Sequence, residues 1–270
     1  MRRVLMSWSS GKDSAWALDR LLREPDVEVG ALLTTFNAAA ERVAMHAVRA
    51  HLVRAQASAI GVPLWEVPLP SPCSNAEYEA QMAAAVGRAR AEGFTHVAFG
   101  DLFLEDVRRY REDRLAGTGL TPLFPLWGLD TGSLAREMIV GGVRAVLTCT
   151  DPRQLAVTFA GRDYDAALLE ALPREVDPCG ERGEFHTFVW DGPMFRAPVP
   201  VRRGVTVERD GFVFTDLLAA DAPAGAAGRT AGESIDPHFA PRERMDPDAG
   251  PVTARIRPRR EESARDPRPR

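Results

Sequence analysis

A chain of 270 residues that is 45 % hydrophobic and 27 % charged can bury a real core in one large or two modest domains, which excludes a disordered or fibrous protein. A formal net charge of -4 supplies no global basic field, so coating nucleic acid is not its main task. Cys73, Cys149 and Cys179 form no CxxC pair and suggest neither a structural zinc site nor a disulfide framework. No stretch approaches the roughly 18 apolar residues of a membrane span, so a soluble, cytoplasmic protein is expected.

From residue 2 to about 151, short apolar or β-branched runs alternate with amphipathic stretches. The strand-like runs are RRVLMSW, VEVGALLTTF at 27–36, PLWEVPLP at 63–70, HVAFGD at 96–101 and VRAVLTCTD at 143–151. Helical spacing falls between them, over 14–23, 45–60, 75–92, 104–115 and 131–141. Strict alternation predicts an α/β fold with a doubly wound parallel sheet, covered on both faces, whose ligands bind at the carboxyl ends of the strands. Beyond residue 152 the pattern becomes a short helix at 163–172, the run EFHTFVWDG at 184–192, and VTVERDGFVFTDL at 205–217 with Asp210-Gly211 as a hairpin turn. The expected division is a nucleotide domain over 1–130, a smaller α+β acceptor region over 131–220, and a tail over 221–270. That tail holds ten Arg, nine acidic residues, eight Pro and a single aromatic, Phe239, too little apolar area to offset its ordering entropy, so it is expected to be disordered.

Of the 34 basic residues, Lys12 is the only lysine. It lies in Ser9-Ser10-Gly11-Lys12-Asp13-Ser14, a small-residue loop between a strand and a helix. Such a loop offers backbone N–H groups and the positive end of a helix dipole to a phosphate, and a compact ammonium suits a point contact with that anion. A Walker loop is absent, since Asp follows the lysine. The second chemical block is Gly180-Glu181-Arg182-Gly183-Glu184-Phe185-His186-Thr187. Two carboxylates and an imidazole here fall within six residues, and a carboxylate beside an imidazole is expected to raise its basicity for proton transfer from an attacking amine. The same carboxylates are alternative ligands for magnesium or the ammonia donor.

The hexapeptide SSGKDS resembles the PP-loop signature SGGxDS of N-type ATP pyrophosphatases. Gly100-Asp101-Leu102 with Arg108, Pro125-Leu126-Trp127, the helix segment MHAVRAHLVRAQASAIGVPL and the block DPCGERGEFHT narrow the resemblance to the diphthine–ammonia ligase family, over about residues 2–217. The resemblance implies a HUP-type ATP domain and an enzyme that activates a carboxylate as an acyl-adenylate, then amidates it with ammonia. Carried onto this chain, Ser9, Ser10, Gly11, Lys12, Asp13, Ser14, Thr35, Gly100 and Asp101 would bind ATP, with Asp13 and Asp101 holding magnesium. Lys12, Asp13, Glu181, Glu184 and His186 would be catalytic, and Arg108, Trp127, Gly180, Gly183 and Thr187 would meet the acceptor. His46 is a further candidate near the nucleotide.

One departure is visible: Ser10 stands where the family usually has glycine. The implied partners are ATP, ammonia or ammonium, and a carboxylate acceptor on a protein or small molecule; no membrane and no nucleic acid are expected, and a homodimer is left open. Diphthamide is absent from bacteria, where an Arg-dominated composition is common, so the acceptor is also left open. The alternatives are a PP-loop protein acting as a nucleotide hydrolase or sensor, and an RNA-thiolating enzyme using Cys149 or Cys179.

Overall fold

The computed structural model describes residues 1–38, 42–43, 48–70 and 72–220. Its first sheet is built from β1 (Arg2–Ser7), β2 (Val27–Asn37), β4 (Leu64–Leu69), β5 (His96–Ala98) and β6 (Thr121–Leu123), all parallel, with the two-residue β3 (Arg42–Val43) antiparallel at the end of β2. Strands β2, β1, β5 and β6 lie side by side in that order, and β4 also pairs with β2. The chain therefore leaves β1 toward β2 and returns on its other side at β5. This makes the carboxyl end of β1 the topological switch point, where open α/β sheets bind their ligands.

Val4, Leu5 and Met6 of β1 are all buried, as a strand covered on both faces requires. Val4, Met6 and Trp8 face one way, into a core shared with α1 (Lys12–Leu22), α2 (Ala50–Ile60) and α5 (Thr131–Val140). Leu5 faces the other, with Ala31, Leu33, Trp65, Phe94 and Val97, against α3 (Asn75–Ala91). Helix α3 starts with a Ser74/Glu77 capping box, and α5 is capped by Asp130. Helix α1 begins instead at Gly11, which has no side chain of its own to cap it.

The expected nucleotide-half strand at 143–151 forms, as β7 (Arg144–Thr150), but not in the parallel sheet. It belongs to a separate antiparallel sheet, ordered β8-β7-β10-β9, with β8 (Phe185–Asp191), β9 (Val201–Arg209) and β10 (Phe212–Ala219). The fifth parallel place is taken by β6, after α4 (Glu105–Leu115). With three residues and Pro122 at its centre, β6 carries no readable periodicity, and a proline is tolerated there because β6 is an edge strand. The short helix expected near 163–172 is α6 (Ala166–Ala171). Asp210 and Gly211 turn between β9 and β10 with φ of 53° and 78°, the positive pair that an Asp-Gly hairpin predicts. The first core continues through Val146, Leu147, Phe185 and Phe188, so the antiparallel sheet packs on the same side as α1. His46 and the tail 221–270 lie outside the described residues.

Candidate nucleotide and acid–base site

The loop after β1 is fixed at both ends. Thr34 Oγ1 donates to the Trp8 carbonyl at 2.8 Å, and Trp8 Nε1 donates to Gln56 Oε1 at 2.9 Å. Gln56 Nε2 in turn donates to the carbonyls of Ser10, at 3.1 Å, and Val189, at 2.6 Å, while Val189 N–H donates to Ser10 O at 3.0 Å. Gln56 is fully buried and was missed from sequence; its signal is a lone amide on the apolar stripe Leu52, Val53, Ala57 and Ile60 of α2. Within the loop, Ser9 Oγ lies 3.1 Å from Ser14 Oγ, Ser14 Oγ donates to Gly11 O at 2.9 Å, and Gly11 N–H reaches Ser9 Oγ at 3.4 Å.

Ser10 is held at φ 69°, the left-handed region that a glycine would occupy without a Cβ penalty, and its Oγ is buried with no hydrogen-bond partner. Ser10→Gly is therefore expected to stabilise the fold by about 1 kcal/mol, the left-handed penalty less the extra chain entropy of glycine, as a shift in denaturant midpoint would show.

Gly100 follows β5 and lies against the first turn of α1. A Cβ there would fall 2.8 Å from Ser14 N, 2.9 Å from Asp13 C and 3.1 Å from Asp13 O, all backbone atoms. Gly100→Ala must push β5 and α1 apart, with an expected loss of about 1–3 kcal/mol that chemical denaturation measures. The close approach brings Asp101, at the end of the fourth parallel strand, next to the loop. Asp101 Oδ2 accepts from Arg111 Nε at 3.3 Å, and the Arg111 guanidinium stacks on Phe99 at 4.6 Å. Thr35 is partly buried on β2, opposite Val67.

Lys12 is 2 % exposed and its ammonium is turned into the protein. Nζ donates to both oxygens of Asp13, at 2.9 and 2.8 Å, and to the Cys179 carbonyl. Burial works to strip its proton, but the Asp13 carboxylate, aided by Cys179 and Asp177, outweighs that and holds the ammonium above its ordinary value. Burial likewise pushes the Asp13 carboxyl up, and Lys12 offsets only part of the rise. The block at 177–187 thus packs directly on the loop, and Thr187 Oγ1, buried, accepts from Lys12 N–H at 3.1 Å. Thr187, expected on the acceptor side, caps the first turn of α1.

The two glutamates of the block part ways. Glu181 Oε1 reaches across to Leu102 N–H at 2.8 Å, and its own N–H donates to Asp177 Oδ2 at 2.9 Å. Burial, then the nearby Asp13 and, to a smaller degree, Asp101, push its carboxyl up to about 8, against the bond from Leu102. Glu184 is 1 % exposed; Oε1 accepts from Asp177 N–H at 3.1 Å and Oε2 is buried with no hydrogen-bond partner. It closes the turn that Gly180 and Gly183, at φ 70° and 80°, make possible. The expected rise in imidazole basicity is reversed: burial, then the Lys12 ammonium, lower His186 to about 4, so it is neutral at pH 7. Cys149 and Cys179 are buried thiols that burial pushes up to about 12, the opposite of the lowered value that marks a reactive cysteine.

Arg108 and Trp127 come together, the guanidinium 4.8 Å from the indole and 4.9 Å from the Phe124 ring, with Arg108 Nε donating to Glu112 at 2.7 Å. Both line an open cleft of about 310 Å³ with Glu105, Arg109 and Glu112. Among the described residues no three acidic, histidine or cysteine side chains are grouped to hold a metal, and no helix is long and apolar enough to cross a membrane.

Residues 1–120 match the family described as the diphthamide synthase N-terminal domain, and residues 130–214 match the diphthamide synthase C-terminal domain. Similar curated proteins are named diphthine–ammonia ligase. The Mus musculus protein is 28 % identical over 128 residues, 42 % of this chain and 45 % of that protein. The Danio rerio protein is 32 % identical over 117 residues, 38 % of this chain and 43 % of that protein. The Schizosaccharomyces pombe protein is 31 % identical over 98 residues, 33 % of this chain and 16 % of that protein. The matched stretch spans less than half the length of each relative. With both halves of the described fold matched, this chain belongs to the diphthamide synthase family.

Proposed function

We propose that the chain is an ATP-dependent ligase that adenylates a carboxylate, releases pyrophosphate, and exchanges AMP for ammonia to form an amide. The observation that supports this most is the contact between the Ser9–Ser14 loop at the β1 switch point and the acid-bearing turn at 177–187, through Lys12 N–H on Thr187 and the Lys12 ammonium on the Cys179 carbonyl, with Glu181 of that turn bonded to Leu102 at the end of β5. A phosphate site and a proton-transfer group then share one wall, which a mere nucleotide sensor has no use for. The name of the relatives suggests diphthine, or a carboxylate resembling it, as the acceptor.

In the first step an acceptor carboxylate oxygen attacks the α-phosphorus and pyrophosphate leaves. The loop N–H groups and the amino end of α1 would meet the phosphate charge. Asp13 and Asp101 are hard oxygen donors on two segments that the packing of Gly100 on the Asp13–Ser14 backbone brings together. They fit a magnesium ion that keeps most of its ligands from phosphate and water, rather than a protein cage, since Asp13 is already paired with Lys12 and Asp101 with Arg111. When bound, that ion would neutralise charge on the leaving pyrophosphate.

In the second step ammonia attacks the acyl carbon, the new nitrogen loses a proton and AMP departs. Glu181, held near the working pH range, takes that proton; neutral His186 accepts or donates a hydrogen bond. The cleft of Arg108 and Trp127 is proposed to dock the acceptor. The test incubates the protein with MgATP, isotopically labelled ammonium and a metabolite and protein extract from its source. Formation of AMP and pyrophosphate with labelled nitrogen in place of a carboxylate OH is expected; ADP and phosphate as the products would contradict adenylation.

A further inference from the structure

The only lysine rests in a cage made by residues from three separate parts of the chain. Its Nζ lies 5.4 Å from the centre of the Tyr164 ring and 5.5 Å from that of Phe185, the two rings being 6.2 Å apart. An ammonium has three donors, and Asp13 and the Cys179 carbonyl accept from them, so its position is set by acceptors ahead and ring faces beside it. The acceptor at Cys179 is itself held. Tyr164 Oη donates to the adjoining Pro178 carbonyl at 2.9 Å, and Cys179 Sγ contacts Thr131 O at 3.4 Å. Tyr164 is anchored in turn by its N–H to Ala145 O at 2.8 Å, and it is 2 % exposed. Acceptors that converge on one point between two ring faces suit a compact ammonium better than a forked, planar guanidinium, which gives a physical reason for one lysine among 33 arginines.

We infer that Tyr164 is a positioning residue for Lys12, acting through its ring and through the Pro178–Cys179 turn that its hydroxyl secures. Its consequence for the nucleotide rests on the proposed reading that Lys12 serves that site; the positioning itself rests on the contacts above. Loss of the hydroxyl frees the Pro178–Cys179 carbonyls to turn away from the ammonium. Loss of the ring removes one wall of the cage.

Because Lys12 is the sole lysine, amine acylation followed by peptide mass spectrometry reads it directly, with the exposed Met1 amine as internal reference. Relative to Met1, Lys12 in the folded parent is expected to react at least about tenfold more slowly than in the unfolded chain. Tyr164→Phe is expected to raise that relative rate severalfold and Tyr164→Leu more, whereas Trp65→Leu, in the opposite core, lowers thermal stability without doing so. Lys12 labelling that stays at the parent level in folded Tyr164→Phe would overturn the inference, even if Tyr164→Leu fails to fold. MgATP affinity, measured by calorimetry on the same variants, separates the two levels. A reactive Lys12 with weakened MgATP binding supports both; a reactive Lys12 with unaltered MgATP binding leaves the positioning role standing and overturns the nucleotide role of Lys12.

Discussion

Glu181→Gln is expected to lower turnover by at least about 100-fold while making the fold more stable at alkaline pH. The amide keeps an oxygen for Leu102 N–H but accepts no proton from the attacking amine. In the parent, kcat/KM should rise as pH passes about 8, where Glu181 ionises in the free protein, and the variant should lack that limb. The stability effect has the opposite sign. A carboxyl raised from 4.5 to about 8 on folding leaves the native state holding a proton that the unfolded chain has lost. The parent therefore loses about 1.4 kcal/mol per pH unit from this group between those values, and the glutamine variant does not. Urea denaturation at pH 5 and pH 9 separates the two. A variant that is both inactive and less stable than the parent at high pH would show that Glu181 serves the fold and not the chemistry.

His186 contributes in the reverse sense. Its imidazole is lowered from 6.5 to about 4, so the stability it supplies is present above about 6.5 and is lost as pH falls toward 4. Acid below pH 6.5 thus costs the native state through His186 while relieving it through Glu181. A Glu181→Gln chain should show the acid loss uncovered, as a steeper fall in urea midpoint below pH 6 than in the parent.

Lys12→Met should cost about 3 kcal/mol at pH 7, because it strands the Asp13 carboxylate beside Asp177 and Glu181 with its countercharge removed. The deficit should shrink in acid, where the Asp13 carboxyl takes up a proton, and widen as pH rises. Lys12→Arg should recover little of it, since a forked, planar guanidinium does not reproduce the point charge on which Asp13 and the Cys179 carbonyl converge. MgATP affinity should fall at least about tenfold, equal to about 1.4 kcal/mol. Full affinity in a folded Lys12→Met protein, measured by calorimetry, would remove the lysine from the nucleotide site.

The strand-loop-helix of residues 2–22 was legible because its signals agree: an apolar run buried on both faces, a loop of small residues, and helical spacing after it. Strand β7 misled because an apolar run looks alike in a parallel and an antiparallel sheet; its place was decided by pairing with Phe185 to Asp191, distant in sequence. Glu181 and Glu184 could not be told apart for a related reason. They are the same residue three positions apart, and the positive-φ turns at Gly180 and Gly183 send one to Leu102 and the other inward to Asp177. Tyr164 and Arg111 carry no motif at all: each acts by stacking on or bonding to a group that only the fold brings near.

The nucleotide's place is best tested by titrating MgATP into uniformly labelled protein and following backbone amide resonances. Saturable shifts concentrated at Ser9 to Ser14, Gly100 to Leu102 and Glu181 are expected, from phosphates arriving at the junction of β1, β5 and the 177–187 turn. Saturable binding that leaves those amides in place and perturbs others would contradict an ATP site at the end of β1.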